Sequence, residues 1–169
     1  LNVDNLFDIF DDLNKDDKAY LPIEKKNSET HIKQCSRIRV IEWRNECLYL
    51  DWNQETKNAK LTNLAKNIIS YNQDGADVIA LQEIENTYIL NELFLLLKPY
   101  GYIDISLLES KDRRGIDTAF ISKYEISNPK LHYIKFKSKN RDTRPIFEVD
   151  IRVNNKVIKF YNLHFPSNF

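Results

Sequence analysis

The sequence of 169 residues contains no methionine, two cysteines, three glycines, three histidines and five prolines. So few glycines and prolines exclude a flexible linker, and we therefore predict no internal domain boundary. No apolar run approaches the roughly 20 residues that a membrane-spanning helix needs, so no membrane span is predicted. With 42% hydrophobic and 30% charged residues, the chain has the composition of one folded domain with a core of its own.

The two cysteines are too few for a disulfide framework. Cys35 and Cys47 lie twelve positions apart in a region whose apolar spacing predicts one helix over residues 29–47, with Ser28 as its N-cap. Such a helix would hold the two sulfur atoms too far apart to bond. We therefore predict reduced or simply buried thiols.

The absence of methionine, together with a strand pattern that begins at residue 1, predicts that sequence precedes this residue. A signal peptide would lie in that part, so the choice between a cytoplasmic and a secreted protein stays open.

The formal net charge is zero, but the charge is unevenly distributed. The first 17 residues hold six Asp and one Lys, whereas residues 130–159 hold nine Lys or Arg and three acids. A basic C-terminal sheet would suit the phosphates of a nucleic acid. It would equally suit a solvated surface, and both interpretations stay open.

The hydrophobic patterns predict an α/β (α+β) fold, a mixed β-sheet with helices packed on one face. Besides the helix at 29–47, amphipathic spacing predicts helices at 56–71 and 86–97, the last capped by Asn86. Strands are predicted at 1–6, 77–84, 102–108, 116–122 and 131–136, and a final hairpin at 144–153 and 157–163.

Several polar residues at the ends of these strands suit the hydrolysis of a phosphodiester. Glu83 ends an apolar strand and offers a carboxylate to a hard cation. His164 follows the last strand and could position water or stabilise charge, and Asp117 could fix its tautomer. Arg144 and Arg114 are candidates for holding the phosphate.

Each of these residues also has a structural interpretation. Glu83 could be a surface or capping residue, and His164 a hydrogen-bonded histidine without a catalytic part. Asp117 could shape a turn after Gly115, and Arg144 could protect an edge strand. Only the ordered combination favours a catalytic site.

That combination resembles the endonuclease/exonuclease/phosphatase superfamily, whose fold is that of pancreatic deoxyribonuclease, abasic-site endonucleases and neutral sphingomyelinases. The resemblance covers nearly the whole chain and is carried by five segments. They are NVDNLFD at 2–8, DVIALQEIEN at 77–86, RRGIDTA at 113–119, TRP at 143–145 and NLHFPS at 162–167. Leu-Gln-Glu and His-x-Pro-Ser are the most specific matches.

The resemblance implies a divalent-metal site. Glu83 would be the principal ligand of Mg²⁺, with Mn²⁺ as a substitute. Asn2 would help to bind the metal or the scissile phosphate, and Asp4 would be a further metal ligand. Gln82 would support Glu83 from behind.

The resemblance also implies a phosphate site beside the metal. His164 would contact the phosphate with Asp117 as its partner, so that His164, Asp117 and Asn2 form the catalytic group. Arg144 and Arg114 would bind phosphate oxygens.

Two later segments of the superfamily, G-D-x-N and S-D-H, do not occur in this sequence. The resemblance therefore implies that residues 1–169 form a single, incomplete domain of this type. They would correspond to about half of a four-layer α/β/β/α sandwich, with the C-terminal part missing or supplied by a complementary chain. We expect the strands of this half to lack their partner sheet.

We thus predict the N-terminal part of a Mg²⁺-dependent phosphodiester hydrolase, with DNA favoured as its nucleic-acid substrate. A lipid or sugar phosphatase of the same fold is one alternative. A non-catalytic α/β binding or assembly module is another. By itself, this chain is expected to be nearly inactive.

Overall fold

A computed structural model describes residues 1–135 and 144–165. Within these ranges the chain forms seven strands and four α-helices, and no helix is long and apolar enough to cross a bilayer. The strands are β1 (Asn2–Leu6), β2 (Val78–Ile84), β3 (Asp104–Leu107), β4 (Asp117–Ser122), β5 (Ile126–His132), β6 (Ile146–Val153) and β7 (Lys156–Asn162). The helices are α1 (Glu29–Cys35), α2 (Ile41–Tyr49), α3 (Gln54–Ser70) and α4 (Thr87–Leu97).

The first sheet is mixed, as the sequence predicts. Its strand order is β1-β2-β4-β3, with β1 parallel to β2 and both other pairs antiparallel. Side chains alternate along β2, so Ile79 and Leu81 join the core formed with helices α3 and α4. The predicted α/β fold with helices on one face is confirmed.

The opposite face of this sheet is also covered, which corrects the expectation that it lacks a partner. Strands β5, β6 and β7 form a second, antiparallel sheet. Phe147, Val149 and Ile151 of β6 pack with Phe120 of β4, and Val78 of β2 borders this cluster. The error arose because the last three strands were assigned to one continuous sheet. The alternating apolar residues of these strands in fact form a core between two stacked sheets.

The prediction for Cys35 and Cys47 is wrong. The two residues form a disulfide with a Cα–Cα distance of 5.6 Å. The predicted single helix is two helices, because the chain leaves helical geometry after Ser36 and restarts after Val40. The break turns α2 back along α1 and brings the two sulfurs together.

Most other elements follow their predictions. Ser28 and Asn86 accept hydrogen bonds from backbone amides at the starts of α1 and α4, as predicted N-caps do. The hairpin of β6 and β7 is also confirmed. Strand β5 begins five residues before the predicted position, because it accommodates Pro129 next to a register shift and Asn128 at a φ of 52°.

Candidate active site

The C-terminal end of β2 is distorted at Glu83. Gln82 pairs with Thr118 and Ile84 with Asp117, so Glu83 lies unpaired in a bulge between them. Its φ of 69° is in the left-handed region, which few residues other than glycine adopt. A bulge of this kind redirects a side chain at the end of a strand.

The carboxylate of Glu83 is held by two groups from other elements. Its Oε2 accepts a hydrogen bond from the backbone amide of Asn5 at 3.0 Å, and its Oε1 lies 3.2 Å from Nε2 of His164. Glu83 and His164 are 81 residues apart in sequence, and they lie at the ends of strands from different sheets. Sandwich packing therefore creates the pair.

Asn162, the last residue of β7, links the second sheet to the first. Its side-chain amide donates to the backbone carbonyls of Leu81 and Ala119 at 2.7 and 3.0 Å. Its Oδ1 accepts from the side chain of Gln82 at 2.6 Å. Gln82, predicted to support Glu83, thus contacts the strand end that carries His164. Asn162 begins the NLHFPS motif, but the motif did not predict this role for it.

His164 is partly buried beside Glu83. Burial lowers the pKa of its imidazole, the positive charge of Arg144 lowers it further, and the Glu83 carboxylate opposes both effects. The net shift is downward, so the ring is neutral at pH 7 and has one nitrogen free to accept a proton.

Asp117 lies at the start of β4, in the same pocket as His164, but the two are not hydrogen-bonded. Its Oδ1 accepts from the backbone amide of Ser110 at 3.0 Å, and its Oδ2 is buried without a hydrogen-bond partner. Burial raises the pKa of this carboxyl, and the Ser110 bond opposes that shift. The predicted Asp117–His164 hydrogen bond is not formed here, where Glu83 is the carboxylate facing the imidazole, and the catalytic role of Asp117 stays a prediction.

The pocket between these groups is lined by residues from both sheets and the loop before β4. They are Ser110, Ile116, Asp117, Thr118, Arg144, Pro145 and His164. The unpartnered Oδ2 of Asp117 and the imidazole of His164 thus belong to one concave surface with a guanidinium group.

The two arginines predicted to bind phosphate differ in how tightly they pair with Asp112. Arg114 forms a two-pronged ion pair with Asp112, with nitrogen–oxygen distances of 3.1 and 2.5 Å. Arg144 lies 3.8 Å from the same carboxylate and donates to the carbonyl of Phe165 at 3.1 Å. Burial, followed by the charge of Arg114, lowers the pKa of Arg144. Two guanidinium groups thus surround the carboxylate of Asp112, and the charges of both act on His164.

Asn2 and Asp4 lie in β1 beside the end of β2. Asn2 pairs with Gln82, and its side-chain oxygen accepts from the amide of Asp4 at 2.8 Å. Asp4 is exposed and has a φ of 56°. Both predicted ligands therefore border the Glu83 bulge, although the Asn2 oxygen is directed at its own strand.

Two neighbours of Glu83 were not predicted. The ammonium of Lys60 in α3 donates to the backbone carbonyls of Asp4 and Asn5. Burial lowers its pKa, and the charges of Asp4 and Glu83 counteract that shift. Burial, reinforced by nearby carboxylates that include Asp4 and Glu83, raises the pKa of Tyr20 to about 12. Neither residue belongs to a motif, and only the packing of α3 and of the segment between β1 and α1 brings them here.

The donor set around Glu83 fits a hard divalent cation. Glu83 is 16% exposed. The carboxylates of Asp4 and Glu83 both act electrostatically on the ammonium of Lys60, which itself donates to the backbone carbonyl of Asp4. Mg²⁺ is typically held by one or two carboxylates and keeps several waters. Glu83 and Asp4 would hold such an ion, with Asn2 at its border.

Comparison with known proteins identifies the family. The Endonuclease/Exonuclease/phosphatase family matches residues 47–169, which is most of the chain. The chain belongs to this family. Among curated proteins, no match was found.

A solved structure of an endonuclease/exonuclease/phosphatase family protein from Leptotrichia buccalis C-1013-b is similar to this chain. The two are 22% identical, with a TM-score of 0.46 over 68% of this chain. The chain spans about half the length of that protein, with 50% of it covered.

Family membership sets the general kind of chemistry. Endonucleases, exonucleases and phosphatases all hydrolyse phosphate esters, and enzymes of this family typically use divalent metal ions. The residues that the sequence motifs indicate, namely Glu83, Asp117, Arg144 and His164, lie at one end of the sandwich.

Proposed function

We propose that this chain forms part of a Mg²⁺-dependent phosphodiesterase that acts on DNA as an endonuclease. The observation that carries the proposal is the meeting of Glu83 and His164 at 3.2 Å, beside a pocket that Arg144 and Asp117 line. A carboxylate, a neutral imidazole and a guanidinium group are the elements that phosphodiester hydrolysis requires.

Each residue has a separate task. Arg144 binds a non-bridging phosphate oxygen, and Arg114 adds positive charge from its pairing with Asp112. The neutral His164 accepts a proton from the attacking water or stabilises charge on the phosphate. Asp117, whose Oδ2 has no partner within the described chain, receives a hydrogen bond from substrate or water. Glu83 would hold a divalent cation, which would neutralise charge on the phosphate.

We also propose that groups outside this chain complete the site, either from a further segment or from a complementary chain. His31 and His132 lie elsewhere, in contact with Cys47 and Glu148 respectively. His164 is therefore the one histidine of the sequence at this site, whereas resemblance to the superfamily implies a second His–Asp pair. Residues 1–169 alone are thus expected to be nearly inactive.

The basic stretch at 130–159 supports a nucleic-acid substrate only in part. Lys159 is bound to Glu148 and Asp150 at 2.8 and 2.7 Å, which removes it from a phosphate-binding surface. Lys135 is exposed, and three of the nine basic residues of this stretch fall in residues 136–143, outside the described part of the chain.

The test is a cleavage assay on the protein that carries this chain, with plasmid DNA, abasic DNA, RNA, sphingomyelin and a phosphoinositide as substrates. We expect nicking of DNA with Mg²⁺ or Mn²⁺ and loss of nicking with EDTA. Glu83→Gln should lower turnover by roughly 100-fold or more, since it removes a charge that acts on the reacting phosphate.

Glu125→Gln is the matched control, because Glu125 is exposed at the turn between β4 and β5 and should leave turnover unchanged. Undiminished Mg²⁺-dependent turnover in Glu83→Gln would refute the ligand assignment. Preference for a lipid or phosphate monoester would refute the DNA substrate and retain the reaction class. Robust EDTA-sensitive cleavage by residues 1–169 would refute the need for outside groups.

A further inference from the structure

A second group of carboxylates lies just beyond Glu83, around the buried side chain of Glu85. The acidic loop, defined here as residues 8–17, folds over this side chain. One carboxylate oxygen each of Asp12, Asp17 and Glu85 lies within 4.8 Å of those of the other two. Asp17 and Glu85 are only 1% and 3% exposed.

Backbone amides occupy one oxygen of each buried carboxylate. The amide of Asp8 donates to Oε2 of Glu85 at 2.7 Å, and the amide of Asp12 donates to Oδ2 of Asp17 at 2.7 Å. The other two oxygens, Oε1 of Glu85 and Oδ1 of Asp17, are buried without any hydrogen-bond partner. Burying a polar oxygen without a hydrogen-bond partner lowers the stability of the folded state. Two such oxygens in one cluster therefore point to a bound group.

The surroundings of the cluster are negative as well. Asp8, Asp12 and Asp17 act electrostatically on Glu85, and Asp11 acts on Asp17. Asp8 is itself buried and receives hydrogen bonds from Phe10 and Asn86. Lys18 binds Asp11 at 3.2 Å on the outer side of the loop and is 30% exposed. In the part of the chain that the structure describes, none of Asp12, Asp17 and Glu85 forms an ion pair with a lysine or arginine.

We propose that Asp12, Asp17 and Glu85 form a binding site for a hard divalent cation, of which Ca²⁺ is the best fit. The three oxygens provide the ligand type that Ca²⁺ selects, and water molecules or further backbone carbonyls would complete a coordination shell of six to eight. Mg²⁺ fits less well because it dehydrates reluctantly and usually keeps several waters, whereas two of these three carboxylates are almost fully buried.

This site shares no ligand with the one proposed at Glu83 and has a structural role. The acidic loop is tied to the arginine-bearing loop, because the amide of Asp16 donates to the carbonyl of Arg113 at 2.7 Å. Its start is tied to the core, because the indole of Trp52 donates to the carbonyl of Asp8 at 2.8 Å. The cation would therefore fix a loop that spans from β1 to the pocket.

The test uses residues 1–169 carrying Glu83→Gln, so that the other proposed metal site is disabled and no activity is needed. After removal of metals with EDTA, Ca²⁺ is titrated and the melting temperature Tm is recorded. Tb³⁺ is the second probe, because a lanthanide in the acidic loop would be sensitised by excitation of the adjacent Trp52. At free Ca²⁺ about one hundred times Kd, Tm should rise by roughly 5–10 °C.

Three variants and one control are compared. Asp12→Asn, Asp17→Asn and Glu85→Gln should each abolish the Ca²⁺-dependent rise of Tm and the Tb³⁺ luminescence. Asp16→Asn, which removes a charge from the exposed side of the same loop, should keep both. Asp12 is only half-buried, so Asp12→Asn tests the site with the least disturbance of the fold.

The proposal is overturned if neither Ca²⁺ nor Tb³⁺ produces a signal in the parent protein. It is also overturned if the three ligand variants respond like Asp16→Asn, because binding would then lie elsewhere. Neither result would affect the function proposed for Glu83, which is tested by cleavage.

Discussion

Glu83 and Glu85 stand two residues apart at the end of one strand, yet their surroundings are opposite. Glu83 faces His164 and is influenced by Lys60 and the two arginines. Glu85 faces other carboxylates and the backbone amide of Asp8, and burial raises its pKa to about 9. Glu83 and Glu85 are thus chemically identical side chains whose properties differ because different parts of the chain pack against them.

This difference shows that the role of a carboxylate at the end of a strand cannot be deduced from the sequence of that strand alone. Glu83 lies at a rim that both sheets share, where cationic groups converge. Glu85 lies under a loop that contributes its own acids. Changing one residue at a time should separate the two environments.

The largest effect is expected at the histidine that distinguishes Glu83 from Glu85. His164→Ala should lower turnover by about 100-fold or more, because a neutral imidazole beside the phosphate contributes proton transfer. Since burial lowers the pKa of His164, the parent enzyme should lose activity only at acid pH, and the variant should lose that acid limb. Rates measured across pH give both results.

His132→Ala is the control for this prediction, because His132 on the edge strand β5 pairs with Glu148 of β6 and does not line the pocket. It should leave turnover and its pH profile unchanged. Equal rates for His164→Ala and the parent enzyme would show that the imidazole next to Glu83 is structural.

A smaller, opposite effect is expected at Glu85. In EDTA near pH 7, Glu85→Gln should stabilise the protein by roughly 1–3 kcal/mol, since it removes a carboxyl group that must take up a proton to be buried and keeps an oxygen for the Asp8 amide. Glu83→Gln should give no such gain, because Glu83 already has cationic neighbours. Chemical denaturation in EDTA measures both. A loss of stability in Glu85→Gln would contradict the contrast.

The pH dependence of stability should follow the same contrast. The folded-state pKa of Glu85 is raised to about 9 and that of Asp17 to about 6, above their values of 4.5 and 3.8. The folded state therefore binds more protons than the unfolded state between these limits, and stability in EDTA should fall as pH rises from about 5 to 9. Glu85→Gln should flatten this decline above pH 6, and an unchanged slope would show that other groups cause it.

The smallest effect is expected at the arginines on the Glu83 side. Arg144→Ala should raise KM roughly tenfold with less change in kcat, because it removes phosphate binding from the pocket. Arg114→Ala should have less effect, since its guanidinium is already bound by Asp112 on two atoms. Steady-state kinetics on both variants test this order, and a larger effect at Arg114 would reverse the assignment.

Local sequence predicted the parts of the fold that local chemistry decides. The apolar run ending at Glu83 marks a buried strand, and Asn86 marks the next helix start. The motifs also indicated the residues that meet at the pocket. The site roles assigned to them stay predictions until kinetics are measured.

Sequence could not predict what depends on packing between distant segments. The disulfide was missed because a helix break at residues 36–40 decides where the two sulfurs lie. The second sheet was missed because alternation in β6 does not say which surface it covers. The unpartnered oxygens of Asp17 and Glu85 follow from how the acidic loop folds, and no spacing rule encodes that.

The amide of Asn162 has a consequence for how the sandwich behaves mechanically. Apolar faces attract without direction, so two stacked sheets have no intrinsic preference for one offset over another. The side chain of Asn162 in β7 bonds to β2 and β4 and so fixes the position of one sheet on the other. A shift of the two sheets by one residue would break all three of its hydrogen bonds. The distance between the side chains of Glu83 and His164 therefore depends on the relative position of the two sheets. That position is set by Asn162, which need not contact the substrate.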